Sequence, residues 1–120
     1  MMKFDHLSLS VSNMARSRDW YVSTLGLAVE FEVQERKTVA LQDSDGFTIF
    51  LREATDARPN DCALWFQVND VDGTYREWSA RGVIFVHAPQ KTFWGYGSEL
   101  ADPDGHLIRL WDKRSMAEAS

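Results

Sequence analysis

The side chains of this 120-residue sequence that could carry out acid–base chemistry or hold a metal ion are few. The chain has three histidines, His6, His87 and His106. A histidine in a pocket can donate a hydrogen bond or act as a general base, because its unperturbed pKa of about 6.5 lies near neutral pH. The alternative for His6 is a side chain satisfied by a hydrogen bond, without a chemical role. His87 is predicted at a strand end and His106 in a turn, so neither is expected to converge with His6.

The elements that must position these side chains occur twice. The turn at residues 102–105 and the apolar strand after it repeat the turn and strand that begin 59 positions earlier, at residues 43–46. Likewise, the strand that ends at Asp70 repeats the strand that ends 57 positions earlier at Asn13. Asn and Asp at these points favour a following helix, because their side chains can cap its first N–H groups. The sequence therefore predicts two copies of one βαβββ unit.

The predicted fold class is α+β, with two βαβββ units that form mixed half-sheets around a cleft. The prediction is a single domain of residues 1–120, in which a polar linker joins the units and a frayed tail follows them. A loop containing Pro89 is predicted at residues 88–94. The segments are unit 1 at 4–52, the linker at 53–61, unit 2 at 62–112 and the tail at 113–120.

Composition excludes several classes of function. The formal net charge is −5 and no long basic cluster occurs, so nucleic acid is not expected as a partner. No apolar run approaches the roughly 20 residues of a membrane span. The first residues lack the apolar stretch of a signal peptide, and Cys62 is the only cysteine, so a cytoplasmic location is expected.

One helix can cover only one face of each four-stranded sheet, so ligand-binding residues are expected on the opposite face. Strand alternation places aromatic rings there, which suits a planar or aromatic small molecule. Arg109 could bind a ligand carboxylate or phosphate through its fork, or pair with Glu99 on a neighbouring strand. The candidate binding residues are His6, Phe50, Arg52, Trp65, Trp94, Glu99, Arg109 and Trp111.

Six short stretches resemble one known family. They are Asp5-His6-Leu7 and residues 20–27, 68–72, 81–83, 94–97 and 102–106. Together they are similar to the vicinal-oxygen-chelate superfamily, which includes glyoxalase I, fosfomycin-resistance proteins, extradiol dioxygenases and bleomycin-resistance proteins. The resemblance covers essentially residues 4–112 and supports the predicted fold. A homodimer is also expected, because the uncovered sheet faces carry Phe50, Trp65 and Trp111, and superfamily members of this length commonly pair.

In metal-using members of that superfamily, four equivalent strand positions supply His and Glu ligands. The resemblance and the repeat place these positions at His6, Phe50, Ala63 and Arg109, of which only His6 is a plausible ligand. Glu99 could join His6, but Arg109 would place a positive charge beside the ion. We therefore expect no metal or other cofactor.

The resemblance then implies metal-independent ligand binding or sequestration, as in antibiotic resistance. The alternative is a lyase, isomerase or dioxygenase-type enzyme that uses His6 as general acid/base or within a divalent-metal site.

Overall fold

The computed structural model describes residues 2–59 and 61–119. The chain divides into two compact units, Met1–Arg58 and Pro59–Ser120. The boundary between them lies within the range predicted as the linker. Residue 60 of that linker and residue 120 of the predicted tail lie outside the described residues. Among the described helices, none combines the length and apolar character that crossing a membrane requires.

Unit 1 is a four-stranded mixed sheet with one α-helix. Strand β1 pairs in parallel with β4, and the sheet order is β1-β4-β3-β2 with the remaining pairs antiparallel. A 3-10 turn at Gln34–Arg36 joins β2 to β3. The elements are β1 (Leu7–Val11), α1 (Met14–Leu25), β2 (Ala28–Val33), β3 (Thr38–Gln42) and β4 (Thr48–Glu53).

Unit 2 repeats this arrangement, with the sheet order β5-β8-β7-β6 and a parallel β5–β8 pair. The predicted α+β class and the two βαβββ units are confirmed, whereas the cleft between the half-sheets stays a prediction. The elements are β5 (Ala63–Gln67), α2 (Val71–Ala80), β6 (Phe85–Thr92), β7 (Gly95–Ala101), β8 (Leu107–Trp111) and α3 (Lys113–Ala119).

The strand registers match the repeat in the sequence. Leu7 pairs with Ile49 in unit 1, and Leu64 pairs with Ile108 in unit 2. Leu64 lies 57 positions after Leu7 and Ile108 lies 59 positions after Ile49, which are the two offsets of the sequence repeat. These apolar residues are nearly or fully buried, apart from Leu7, which is half-buried. Because side chains alternate along a strand, the residues between them point to the opposite face of each sheet. That opposite face carries the predicted ligand-binding residues.

Helices α1 and α2 each start against a carboxylate that lies at the end of the last strand of the same unit, Glu53 in β4 and Asp112 directly after β8. Glu53 Oε2 accepts a hydrogen bond from Met14 N at 3.0 Å, and Asp112 Oδ2 accepts one from Val71 N at 2.6 Å. The sequence predicted Asp70 as the cap of α2. Asp70 does occupy the N-cap position, but its side chain makes no capping hydrogen bond. The buried Asp112 satisfies the first N–H of the helix instead.

The loop predicted at residues 88–94 is wrong for most of its length. Strand β6 continues through Pro89 to Thr92 and reverses into β7 after two residues. Between His87 and Gln90 this strand has one residue more than β7 has between Glu99 and Gly97, which is a β-bulge. Proline is tolerated here because β6 is an edge strand and the bulge interrupts the ladder of hydrogen bonds.

The frayed tail predicted after residue 112 is also wrong, because α3 begins at Lys113. Asp112 Oδ1 accepts a hydrogen bond from Ser115 N at 2.7 Å, which caps the first turn. The Met116 side chain fills the space beside Gly95 that a Cβ would occupy. Capping and packing onto β7 thus hold this short helix in place.

Candidate functional site

Unit 1 places His6 against a pair of phenylalanines. The His6 ring lies nearly parallel to Phe50, with centroids 3.7 Å apart and an interplanar angle of 16°, and Phe31 meets Phe50 edge-on at 5.6 Å. His6 Nδ1 lies 2.8 Å from Asp5 Oδ2. Because a carboxylate only accepts hydrogen bonds, Nδ1 carries the proton and Nε2 is left for another partner. Arg52 lies exposed on β4, two residues beyond Phe50.

Unit 2 carries a row of side chains across all four strands. Trp65 on β5 is in register with Arg109 on β8, Arg109 with Glu99 on β7, and Glu99 with His87 on β6. Residues in register share a face of the sheet. Four chemically distinct side chains therefore lie side by side, and His87, which was not expected to contribute, is one of them.

The Arg109 guanidinium is enclosed by one carboxylate and three aromatic rings. Its Nε donates to Glu99 Oε2 at 2.7 Å, and both side chains are largely buried, with 17% and 12% of their surface exposed. Its Cζ lies over the rings of Trp65, Phe93 and Trp94, at 5.4–5.5 Å from the ring centroids. The predicted Arg109–Glu99 ion pair is confirmed. The rings add cation–π attraction to the pair.

Glycine at position 97 makes room for one wall of this enclosure. A Cβ on Gly97 would overlap the carbonyl oxygen of Leu110 and lie only 2.6 Å from Cη2 of Trp94. The Trp94 indole therefore packs directly on the backbone of β7. From there it meets Trp65 at a ring-centroid distance of 4.8 Å and an interplanar angle of 71°. Trp111, the last residue of β8, lies half-buried on the same face as Arg109.

These side chains do not fit a divalent metal ion. The four equivalent positions hold His6, Phe50, Ala63 and Arg109, and only the imidazole can donate an electron pair to a metal. Among the described residues, no three His, Cys, Asp or Glu side chains lie close enough together to hold an ion. Arg109 adds a fixed positive charge where the resemblance implies a carboxylate.

Two cavities of unit 2 lie away from the predicted binding residues. The first, of about 540 Å³, is at the start of α2 and is lined by residues that include Asp70, Thr74 and Glu77. The second, of about 270 Å³, is lined by Asp72, Tyr96 and residues of α3 among others. Tyr96 Oη donates a hydrogen bond to Asp72 at 2.8 Å, and this bond raises the pKa of Tyr96.

Sequence reasoning missed several residues of the two faces. Phe93 lies in the segment predicted as a loop and Phe31 is not among the candidate residues, although each ring contacts a predicted residue. Gly97 belongs only to the family-like stretch 94–97. The spacing on β7 could have identified Gly97, because residues two apart on a strand share a face and Glu99 is a predicted binding residue.

The sequence profile of the Glyoxalase/Bleomycin resistance protein/Dioxygenase superfamily matches residues 3–110. The chain belongs to this superfamily. No curated protein sequence matches it. The family resemblance seen in the sequence is confirmed.

Solved structures share the fold of this chain. A superfamily member from Sphaerobacter thermophilus is 25% identical, with a TM-score of 0.77 over 94% of this chain and 99% of that chain. A possible glyoxalase from Bacillus cereus is 20% identical, with a TM-score of 0.75 over 92% of this chain and 98% of that chain. A bleomycin-binding protein from Streptomyces verticillus, in complex with copper(II)-bleomycin, is 19% identical, with a TM-score of 0.70 over 94% of this chain and 99% of that chain.

Proposed function

We propose that this superfamily member binds a small planar molecule without the help of a metal ion. The observation that carries the proposal is the environment of Arg109. A permanent cation stands at one of the metal-ligand positions, already held by Glu99 and three rings. Its charge and fixed geometry supply the polar anchor that a metal ion supplies elsewhere in the superfamily.

The remaining predicted residues suit the apolar part of such a ligand. Trp65 and Phe93 expose much of their rings beside Arg109, and Phe50 presents a half-buried ring in unit 1. Flat rings with a few fixed polar groups are typical of small-molecule sites. Binding or sequestration of a ligand needs no catalytic group, and the Streptomyces verticillus protein is a bleomycin-binding protein of the same fold. Arg109 argues against a cationic ligand for this chain.

A binding screen with and without chelator tests the proposal. Planar compounds of each charge type are titrated into purified protein, with intrinsic tryptophan fluorescence or calorimetry as readout and 1 mM EDTA in a parallel set (about a thousandfold above a micromolar protein). We expect ligands that bind equally well with EDTA present. We also expect Arg109→Ala to weaken their binding by about tenfold or more, and more than His6→Ala does.

Arg81→Ala is the matched control, because Arg81 also lies over a tryptophan ring, at 5.8 Å from Trp78, but on the exposed end of α2. It should leave binding unchanged. Binding that disappears with EDTA and returns with a divalent ion would contradict metal independence. Binding that survives in the Arg109 variant would make the arginine purely structural.

The Asp5–His6 contact favours an enzyme as the second candidate. With Nδ1 donating to Asp5, the Nε2 of neutral His6 can accept a proton, as a general base must. Lyase or isomerase chemistry of this kind would consume the bound ligand. Product analysis after incubation with each ligand from the screen separates the candidates: an unchanged ligand supports binding alone, and a product lost in His6→Gln supports catalysis.

A further inference from the structure

We infer that the ligand is a planar monoanion whose carboxylate group is bound by the terminal nitrogens of Arg109, while its ring lies against Trp65 and Phe93. This inference rests on the proposed function and narrows it to one class of ligand. It follows from the donors that Arg109 leaves unused, from the rings around its charge and from the single carboxylate beside it.

The first step is the count of hydrogen-bond donors. A guanidinium has five N–H donors, and the Nε donor of Arg109 is taken by Glu99. Among residues 2–59 and 61–119, no other acceptor bonds to this side chain, so the four donors of the terminal nitrogens remain available. Two of them lie parallel on one edge of the fork, which matches the two oxygens of a carboxylate.

The second step is the hydration of these donors. The Arg109 side chain is only 17% exposed and its Cζ lies over the rings of Trp65 and Trp94, so these rings replace part of the water around the guanidinium. A charged hydrogen bond is stronger where water competes less. The Trp65 and Phe93 rings are themselves 44% and 92% exposed, so a flat ligand can cover them while its acceptor reaches Arg109.

The third step is the charge of the ligand. Glu99 and Arg109 together are neutral, so one carboxylate gives the group a single negative charge, and a second would be repelled by both Glu99 and the first. A cationic ligand would meet the permanent charge of Arg109. The pair therefore favours a ligand with one negative charge. Repulsion from Glu99 lowers the affinity for that charge.

Three probes with one ring system and different charges test the inference: 2-naphthoate, 2-naphthamide and 2-naphthylmethylammonium. Calorimetric titration of the wild type should rank the carboxylate tightest, by about tenfold over the amide. Arg109→Gln and Arg109→Lys should both remove this preference, since neither presents the charged fork. Arg81→Gln, on the exposed end of α2, should leave the ranking unchanged.

Glu99→Gln should change affinity in the opposite direction. The amide oxygen of Gln can still accept the Nε–H hydrogen bond, so Arg109 stays in place, while the competing negative charge is gone. We expect about three- to tenfold tighter binding of 2-naphthoate, because removing a nearby like charge favours the anion. If the ion pair is only structural, Glu99→Gln and Arg109→Gln should each leave the affinity for all three probes unchanged or lower it for all three alike.

Several results would overturn the inference. Equal binding of naphthoate and naphthamide would reject the carboxylate, yet leave small-molecule binding intact. Tighter binding of the ammonium probe, weakened by Glu99→Gln, would assign the site to cations. Binding of none of the three probes up to millimolar concentration would reject the anionic-ring class, and the broader screen would then decide whether the proposed function also fails.

Discussion

Arg109 owes its place to residues that lie next to it on the two neighbouring strands and in one turn. Glu99 fixes its Nε, Trp65 lies beneath its Cζ, and the turn after β6 brings Phe93 and Trp94 over the same atom. Strand register sets the positions of Glu99 and Trp65, so the guanidinium can adopt few other positions. Such fixing lowers the entropy that ligand binding would otherwise cost.

Gly97→Ala should damage this arrangement without touching Arg109. The new Cβ would collide with the Leu110 carbonyl and the Trp94 ring, so the indole must move. We expect a loss of about 1–3 kcal/mol in the free energy of unfolding, as for other overpacked sites. Urea unfolding measures the loss, and the naphthoate titration measures the accompanying drop in affinity.

Ser98→Ala serves as the control on the same strand. The Ser98 hydroxyl is buried and has no hydrogen-bond partner among the described residues, so its removal should be neutral or slightly stabilising. A Gly97→Ala protein as stable as the wild type, with unchanged tryptophan fluorescence, would show that the indole does not need the glycine.

The carboxylate at the end of the last strand links sheet and helices in each unit. Asp112 accepts hydrogen bonds from Val71 N at the start of α2 and Ser115 N in α3, and Glu53 accepts one from Met14 N at the start of α1. Burial disfavours the ionised form of Asp112, but these backbone hydrogen bonds outweigh it and the pKa of Asp112 is lowered. One buried side chain thus stabilises two helix starts.

Asp112→Asn should destabilise the protein by about 1–4 kcal/mol, since one side chain serves two caps. Glu53→Gln is the matched change in unit 1 and should cost less, because Glu53 is half-buried and serves one helix. Urea midpoints at pH 7 compare the two variants. Equal losses would show that the α3 contact contributes nothing.

The effect of Asp112 should depend on pH with a definite sign. Its pKa is lower in the folded chain than in the unfolded chain, so its stabilisation is complete above the unfolded value of about 3.9. It is lost as the pH falls through the folded value. The difference in stability between wild type and Asp112→Asn should therefore be constant from pH 7 to 5 and shrink below about pH 4. A constant difference down to pH 2.5 would contradict the lowered pKa.

The helices and strands could be predicted where a sequence pattern repeats. They could not be predicted where tertiary contacts determine the secondary structure. Alternation placed the Phe50 and Trp65 rings on the face opposite the helix, and the repeat located the same elements in both units. The extension of β6 through Pro89 depends on a bulge that leaves no local signal. Helix α3 follows Asp112, whose cap is a local signal that the sequence prediction did not use. The Arg109–Glu99 pair could be predicted because the two residues were expected on neighbouring strands. The Phe93 contact could not, because a predicted loop at residues 88–94 gives no position for the ring.

At the scale of the whole molecule, the sheet of each unit has an edge strand, β2 or β6, that exposes apolar side chains. Val29 and Phe31 lie on β2, and Val86 lies on β6, just after the 86% exposed Ile84. Exposed edges of this kind favour pairing with another chain. We therefore expect a homodimer of about 28 kDa, twice the 13.8 kDa chain. Light scattering at micromolar concentration checks the mass, and a monomer there would reject the dimer.

Elemental analysis tests the central claim, metal-free ligand binding, most directly. The protein is purified without chelators, and zinc, nickel, manganese and iron are quantified per chain by mass spectrometry. With Phe50, Ala63 and Arg109 in three of the four equivalent positions, we predict amounts far below one ion per chain for every metal. One tightly held ion per chain that is lost in His6→Ala would contradict the account.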